Sequence, residues 1–418
     1  MNKVWAVSGF FFVLLISSND IHGFNLNDVV EEAMEKNPEV LAAKNQWNAA
    51  KARIPQKLSW LDPKFGISFE KIPDPGYSPA DAEMRMYSIS QMIPFPGKLT
   101  MKARIALKDA RIARENYEKK KNEVVAKVKS VYYSLYYIHK SIETNRENKE
   151  LIRKFSKIAE SKYVVGKASQ HDVLKAQVEL SLIIDDLISL EHDKLPSGEA
   201  RLKALLNRHP DSTLGTPEDF EIPELDKSQK QIEEIAIENQ PNLKIMKYAV
   251  EKSGDALTLA KMGYLPDFMV KLMQEEMLMP MGKETTRGIM FSMNIPLWFW
   301  KQGFGIKENS AQKRALEASY QAMKNMVLYK VQEALSNFNT SERRVNLFRT
   351  SIIPQAEQAL KAATIAYQTG KIDFLTLMNS ERMLRDARLK YYETLSKHGQ
   401  NFANLEMIVG VSLSDDIK

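Results

Sequence analysis

From Lys98 to Tyr163 the chain contains neither glycine nor proline. Along that stretch Ala106, Ala110, Ala113, Tyr117, Val124, Val128, Val131, Leu135, Ile138 and Ile142 follow one another in steps of four and three, with Lys120 interrupting the row. Such steps are the seam of a coiled coil, so the pattern predicts one unbroken helix that must lay a narrow apolar stripe against other helices. At ~1.5 Å per residue, about 65 residues extend about 100 Å. A rod of that length excludes an ordinary globular domain. A second row repeats the pattern: Ala311, Ala315, Ala318, Ala322, then Val327, Val331, Ala334, Phe338, Val345, Phe348 and Ile352, with Ser341 interrupting and a kink expected at Pro354.

Each rod ends in nearly the same phrase, "YVVGKASQHDVLKAQ" from Tyr163 and "YQTGKIDFLTLMNSE" from Tyr367. Gly166 and Gly370 are placed to end the helices, because glycine takes the left-handed conformation at little cost. Ser169 or Asp172 in the first phrase, and Asp373 in the second, can cap a returning helix. The return helices are expected at about Asp172–Leu206 and Asp373–Glu406, making each rod one arm of a helical hairpin.

The duplication extends further. "NPEVLAAKNQW" is echoed by "NQPNLKIMKYA", "WLDPKFGISFE" by "YLPDFMVKLM", and "YSISQMIPFPGK" by "MFSMNIPLWFWKQG", in one order and at offsets of about 202 to 205 residues. Each copy reads helix, strand, strand, long helix, turn, helix, with the first helix expected from Leu26 to Leu58 and Asn25 or Asn27 as its cap. The strands show period-two alternation: Phe65, Ile67 and Phe69; Tyr87, Ile89 and Ile93; Phe268, Val270 and Leu272; Ile289, Phe291, Met293 and Ile295. Each is about as long as a tilted strand that crosses a bilayer. The divisions drawn are 1–23, 24–212 for the first repeat, 213–230 for a linker, 231–411 for the second repeat and 412–418 for a tail. The first 23 residues read as a signal peptide, with Lys3 before an apolar run from Phe10 to Ile16 and Gly23 a plausible cleavage position.

Four amphipathic strands cannot close a barrel, since their edges would stay unpaired in lipid. Three copies would supply ~12 strands, within the range of membrane barrels. The repeat, the strand exits "QMIPFPGK" and "NIPLW", and the two glycine turns together resemble the TolC-type outer-membrane efflux factors over nearly the whole mature chain. The resemblance implies a mainly α protein with a small β part: a homotrimeric 12-stranded barrel in outer-membrane lipid, continued by a periplasmic coiled-coil α-barrel. It implies an efflux or type I secretion channel that docks on a periplasmic membrane-fusion adaptor and an inner-membrane pump, RND type foremost. "FEKIPDPG", "SQMIPFPGK" and the Met-rich second hairpin look most like the branch serving heavy-metal exporters.

The resemblance also implies that the glycine turns form a periplasmic aperture and adaptor-docking tips. By position these comprise Tyr163, Gly166, Lys167 and Asp172, and Tyr367, Gly370, Lys371 and Asp373. Thr376 and Asn379 stand where the family often has acids, which argues against an acidic cation ring. Tyr163, Asp172, Lys371 and Asp373 are expected to take part in a closed-state network.

Other chemistry is thinly represented. With no cysteine there are no disulfides, thiolate metal sites or thiol nucleophiles. A formal charge of +6 spread among interspersed Lys and Glu argues against nucleic acid. "PFPGKLT" and "GFGIKE" lack the glycines of phosphate and dinucleotide loops and read as strand-to-helix turns. The six histidines are scattered, and His171 reads as a solvated turn residue. No catalytic constellation can be assembled and no cofactor is needed. Met277, Met279 and Met281 are expected in the hairpin loop, where thioethers could meet soft metals, although methionine as barrel lining is the plainer explanation. Trp298, Phe299 and Trp300 suit an aromatic girdle at a membrane interface. An exported coiled-coil structural or adhesin-like protein without a pore is the alternative; it leaves the strand hairpins unexplained.

Overall fold

The computed structural model describes residues 23–75, 78–222 and 225–413. The expected signal peptide up to residue 22, and residues 414–418 of the tail, lie outside them. The order is α1 (Leu26–Lys36), α2 (Pro38–Leu58), β1 (Lys64–Glu70), β2 (Met84–Ile93), α3 (Lys98–Val164), α4 (Gln170–Ser189) and α5 (Leu195–Leu205). The second repeat follows with α6 (Gln229–Asn239), α7 (Pro241–Lys261), β3 (Phe268–Met279), β4 (Gly282–Met293), α8 (Phe299–Leu347), α9 (Ile353–Gln368) and α10 (Phe374–Val409). The protein is mainly helical with four antiparallel strands and two repeats. No helix among the described residues is long and apolar enough to cross a membrane.

The helix expected from Leu26 to Leu58 is two helices. Asn37 leaves the helical conformation, its side chain accepts from the amides of Glu39 (2.9 Å) and Val40 (3.3 Å), and Pro38 takes the first position of α2. Gln240 and Pro241 do the same between α6 and α7, with Gln240 Oε1 accepting from Leu243 N at 3.3 Å. Proline lacks the amide that a continuing helix would use, so a cap followed by proline breaks the rod while the apolar period runs on. Asn25 caps α1 by accepting from Asp28 N at 2.9 Å.

The chain divides into two compact units. The first gathers the described residues up to Glu31, Val131–Glu221 and Phe348–Ser396. Its core joins Ile152, Phe155 and Ala159 of α3, Ala176, Ile183 and Leu187 of α4, Ala363 and Tyr367 of α9, and Phe374 and Leu377 of α10. Residues Pro217–Phe220, expected in a linker, are packed here. Phe24 forms a parallel bridge with Pro217, the Tyr132 hydroxyl donates to Glu218 O (3.0 Å), the Tyr136 hydroxyl donates to Asp219 Oδ1 (2.9 Å), and the Phe220 ring lies 4.6 Å from that of Tyr133. Burial pushes the Tyr132 phenol up to about 12.

The return helix expected from Asp172 to Leu206 is interrupted by a π stretch at Leu190–Lys194, and the long helix of the second repeat is interrupted by another at Phe348–Ile352. Each lies just ahead of a proline at the second position of the next helix, Pro196 and Pro354. Wider backbone bonding lets the helix pass a residue that has no amide to donate. At Pro354, where a kink is expected, the helix widens into the π stretch and continues as α9.

The second unit holds Glu32–Ser130, Ile222–Leu347 and the described residues from Lys397. Its helical core packs Ile232, Ala236 and Leu243 against Val327, Val331, Ala334 and Phe338 of α8 and Phe402, Leu405 and Val409 of α10. Ser341, which interrupts the seam, is buried and contacts His398 Nδ1 at 3.0 Å. Burial depresses His398 to about 4, so the ring is neutral at ordinary pH. Gly410 ends α10 with φ +92°, and a Cβ there would stand 2.9 Å from Asn239 O.

The same unit carries the sheet, ordered β1-β2-β3-β4 and antiparallel throughout. The repeats meet through β2 and β3, from Ile93 opposite Phe268 to Met84 opposite Met277. Lys98 of "PFPGK" fixes this junction: its ammonium donates to Leu265 O and Asp267 Oδ1, both at 2.8 Å, and Phe95 N donates to the same carboxylate at 2.8 Å. Register places Phe65, Ile89, Leu272 and Ile289 in one row, with Val270 and Phe291 beside it. Toward the helical end this face is apolar yet exposed in the single chain, Phe291 at 77% and Phe65 at 68%, while its farther rungs carry Gln274, Arg287, Arg85 and Glu276. Strands β2, β3 and β4, of 10, 12 and 12 residues, are long enough to cross a hydrocarbon layer of about 30 Å at a tilt. Met277 and Met279, expected in the loop, lie on β3; only Met281 stands in the turn, because Pro280 and Met281 alone join the strands. β4 ends at Met293 rather than Ile295, where the chain turns toward Pro296.

Candidate functional site: the paired helical turns

The two glycine turns close by the same bonds. At the first, Gly166 has φ +73°, its N–H donates to Tyr163 O (2.9 Å), and Lys167 N donates to Lys162 O (2.8 Å). At the second, Gly370 has φ +75°, its N–H donates to Tyr367 O (3.2 Å), and Lys371 N donates to Ala366 O (2.8 Å). The lysine amide of each pair, reaching back five residues, satisfies a carbonyl that the ending helix would leave open, and this requires a residue tolerant of positive φ between them. Ser169 and Asp172 form a reciprocal capping box at the start of α4: Asp172 N donates to Ser169 Oγ (3.3 Å) and Ser169 N to Asp172 Oδ2 (3.2 Å). Asp373 caps α10 by accepting from Thr376 N at 2.8 Å, and these Thr376 bonds hold its carboxyl below the usual range.

The equivalent tyrosines part company. Tyr163 is 48% exposed and Tyr367 only 4%. Tyr367 packs 5.5 Å from the Phe374 ring, and its buried hydroxyl has no hydrogen-bond partner among the described residues. Burial, and then the nearby Asp172 carboxylate, hold this phenol above its ordinary range. Lys162 links the hairpins, donating to Tyr367 O while its ammonium sits 4.0 Å from the ring centre. Around this link runs a cleft of about 780 Å³ lined by Lys157, Ser161, Lys162, Lys167, Thr369 and Gly370.

Lys167, Lys371, Asp373, Thr376 and Asn379 are exposed and Asp172 is half-buried. Within one chain no hydrogen bond among the described residues joins Tyr163, Asp172, Lys371 and Asp373 to one another. What joins the hairpins was not legible as a motif. Two turns up from the glycines, Glu179 of α4, 4% exposed, accepts from Arg382 (2.5 Å) and Arg385 (3.2 Å) of α10. Beside them Glu381 is wholly buried, and neither carboxylate oxygen has a partner among the described residues. Burial lifts its carboxyl from 4.5 to about 7, which the attraction of Arg385 only partly offsets. Both acids stand in the seam, Glu179 between Ala176 and Ile183 and Glu381 between Leu377 and Leu384. That placement was the available clue.

A search against protein families finds the outer membrane efflux proteins, matched over residues 29–208 and again over 234–411. Among curated relatives, the cobalt-zinc-cadmium resistance protein CzcC of Cupriavidus metallidurans is 21% identical over 326 residues, covering 76% of this chain and 75% of that protein. Among solved structures, CusC superposes with a TM-score of 0.80 at 13% identity, covering 93% of this chain and 92% of the other. The CmeC outer membrane channel of Campylobacter jejuni gives 0.75 at 16%, covering 94% and 87%. At these identities the structural likeness establishes the fold.

Proposed function

We propose, from the premise that this chain belongs to the outer membrane efflux protein family, that its cargo is a heavy-metal cation and that its glycine turns form the regulated periplasmic entrance. Membership makes the protein a non-enzymatic outer-membrane channel of a tripartite efflux system, with a periplasmic helical extension. It also implies a trimer with an adaptor and a pump, here assigned to the RND type. The observation that carries the reading is the sheet: four strands whose β1 and β4 edges have no partner among the described residues and whose one face is apolar toward the helical end, a form that lipid tolerates only once neighbours close the ring. The printed name of the CzcC relative supports the metal cargo.

At the entrance, Tyr163, Lys371 and Asp373 are exposed on a single chain and free to meet neighbouring copies. Asp172 engages its own cap and contributes its remaining acceptor capacity. Purified protein in planar bilayers tests this: alanine at Tyr163, Asp172, Lys371 or Asp373 should raise conductance, and unchanged conductance in all four would remove the entrance role. Crosslinking of the trimer to its adaptor, followed by metal-tolerance assays of a deletion strain carrying the gene, tests the cargo. Tolerance unaffected by the deletion would end the metal assignment.

A further inference from the structure

The strand register sorts the methionines onto one side. Counting rows inward from the helical end, Met92 and Met269 face each other in the first, Met290 stands in the second, Met273 in the third and Met86 in the fourth. Met84 and Met277 face each other in the fifth, and Met279 stands in the sixth. All are on the face opposite Phe65, Ile89, Leu272 and Phe291; among the strand methionines only Met293 shares the apolar face. Every rung of that face therefore carries at least one thioether, at intervals of about 7 Å, two residues of strand. The two facing pairs bring Cβ atoms to roughly 5 Å, close enough for both sulfurs to reach one ion.

The rest of this face does not belong to an apolar lining. Ser68, Ser88, Ser90, Glu70, Glu275 and Glu284 share its rungs. The other face carries Gln91, Gln274, Arg287, Arg85 and Glu276 among its apolar residues, so polarity alone does not sort the methionines to one side. Among the described residues no cluster of three His, Asp or Glu could hold a metal ion, so a borderline cation such as zinc has no oxygen or nitrogen cage here. Thioethers instead favour soft monovalent ions. The second rung also carries Lys64 and Lys271, so binding there rests on sulfur and not on charge.

We propose that the methionine-bearing face of the sheet is a ladder of thioether sites for a soft monovalent cation, Cu(I) or Ag(I), spanning the barrel interior rung by rung. This rests on the channel reading above and narrows its cargo.

The test uses full-length protein in detergent, Ag(I) alone as a redox-stable probe, and equilibrium dialysis with metal quantified by mass spectrometry. Two variants are compared: M92L/M269L/M84L/M277L, which empties both facing pairs, and M293L on the opposite face. Wild type and M293L should retain Ag(I), the quadruple variant should lose the larger part of that uptake, and Zn(II) should be retained by none. The scattered histidines are common to all three proteins and cancel. Equal Ag(I) uptake by wild type and the quadruple variant, or none by wild type, would overturn the ladder. Planar-bilayer conductance of the same proteins, each also carrying the entrance substitutions Y163A and D373A, separates the two levels: conducting protein that ignores Ag(I) sinks the ladder alone, whereas protein that never conducts even with these substitutions sinks the channel reading beneath it.

Discussion

Glu381 offers a measurement with a defined sign. Its carboxyl is fully buried, has no hydrogen-bond partner among the described residues and is raised from 4.5 to about 7. The charged groups facing it are Glu179 from α4 and Arg382, Arg385 and Asp386 on its own helix. Because the folded value is the higher one, the folded chain holds a proton between pH 4.5 and 7 that the unfolded chain has released. Stability is therefore complete below about pH 4.5, declines as pH rises and reaches its full loss above about pH 7. A displacement of roughly 2.5 units at 1.36 kcal/mol each is about 3 kcal/mol. Glu381→Gln keeps the shape and removes the charge, so it should match wild type near pH 4.5 and exceed it by about 3 kcal/mol at pH 8. Thermal unfolding of the detergent-purified protein, followed by circular dichroism from pH 4.5 to 8, reads the difference. A gap between the two proteins that stays constant across that range, or a variant less stable at pH 8, would refute the buried-acid argument.

Other outcomes follow from single contacts. Tyr367→Phe removes a buried hydroxyl that has no hydrogen-bond partner among the described residues, so melting temperature should stay level or rise, in contrast to the usual loss at a buried tyrosine. Gly410→Ala combines positive φ with a 2.9 Å approach to Asn239 O and should cost on the order of 1–3 kcal/mol by thermal unfolding. Lys162→Met keeps the stem over the Tyr367 ring but removes the ammonium that holds the hairpins together, and should raise bilayer conductance even with Tyr163, Asp172, Lys371 and Asp373 intact.

The features legible in the sequence are those set by local backbone chemistry. Gly166 and Gly370 declared themselves because a chain reversal at positive φ admits few other residues, and alternation alone located all four strands. Failures came where a local pattern was overridden. The apolar period runs through Asn37 and Gln240 without pause, so the breaks there are visible only in the proline that follows each cap. Met277 and Met279 were placed in a loop because glutamates and methionines around them mask the alternation, while the tight Pro280–Met281 turn lets the strands run longer. Glu179 and Glu381 belong to no motif, and only their heptad position betrays burial. The difference between Tyr163 and Tyr367 accompanies a change at the preceding position, Lys162 in one arm and Ala366 in the other, but only packing shows which ring is covered.

The π stretches ahead of Pro196 and Pro354 carry an evolutionary implication. Each accommodates a surplus residue, and one residue turns a helical face by about 100°. Phase errors picked up in α8 can be discharged at Phe348–Ile352 before they reach Gly370, and those in α5 at Leu190–Lys194 before they reach the start of α4. Gains and losses of single residues among descendants of the ancestral half should therefore gather at these two places, leaving the ends of the rods in step.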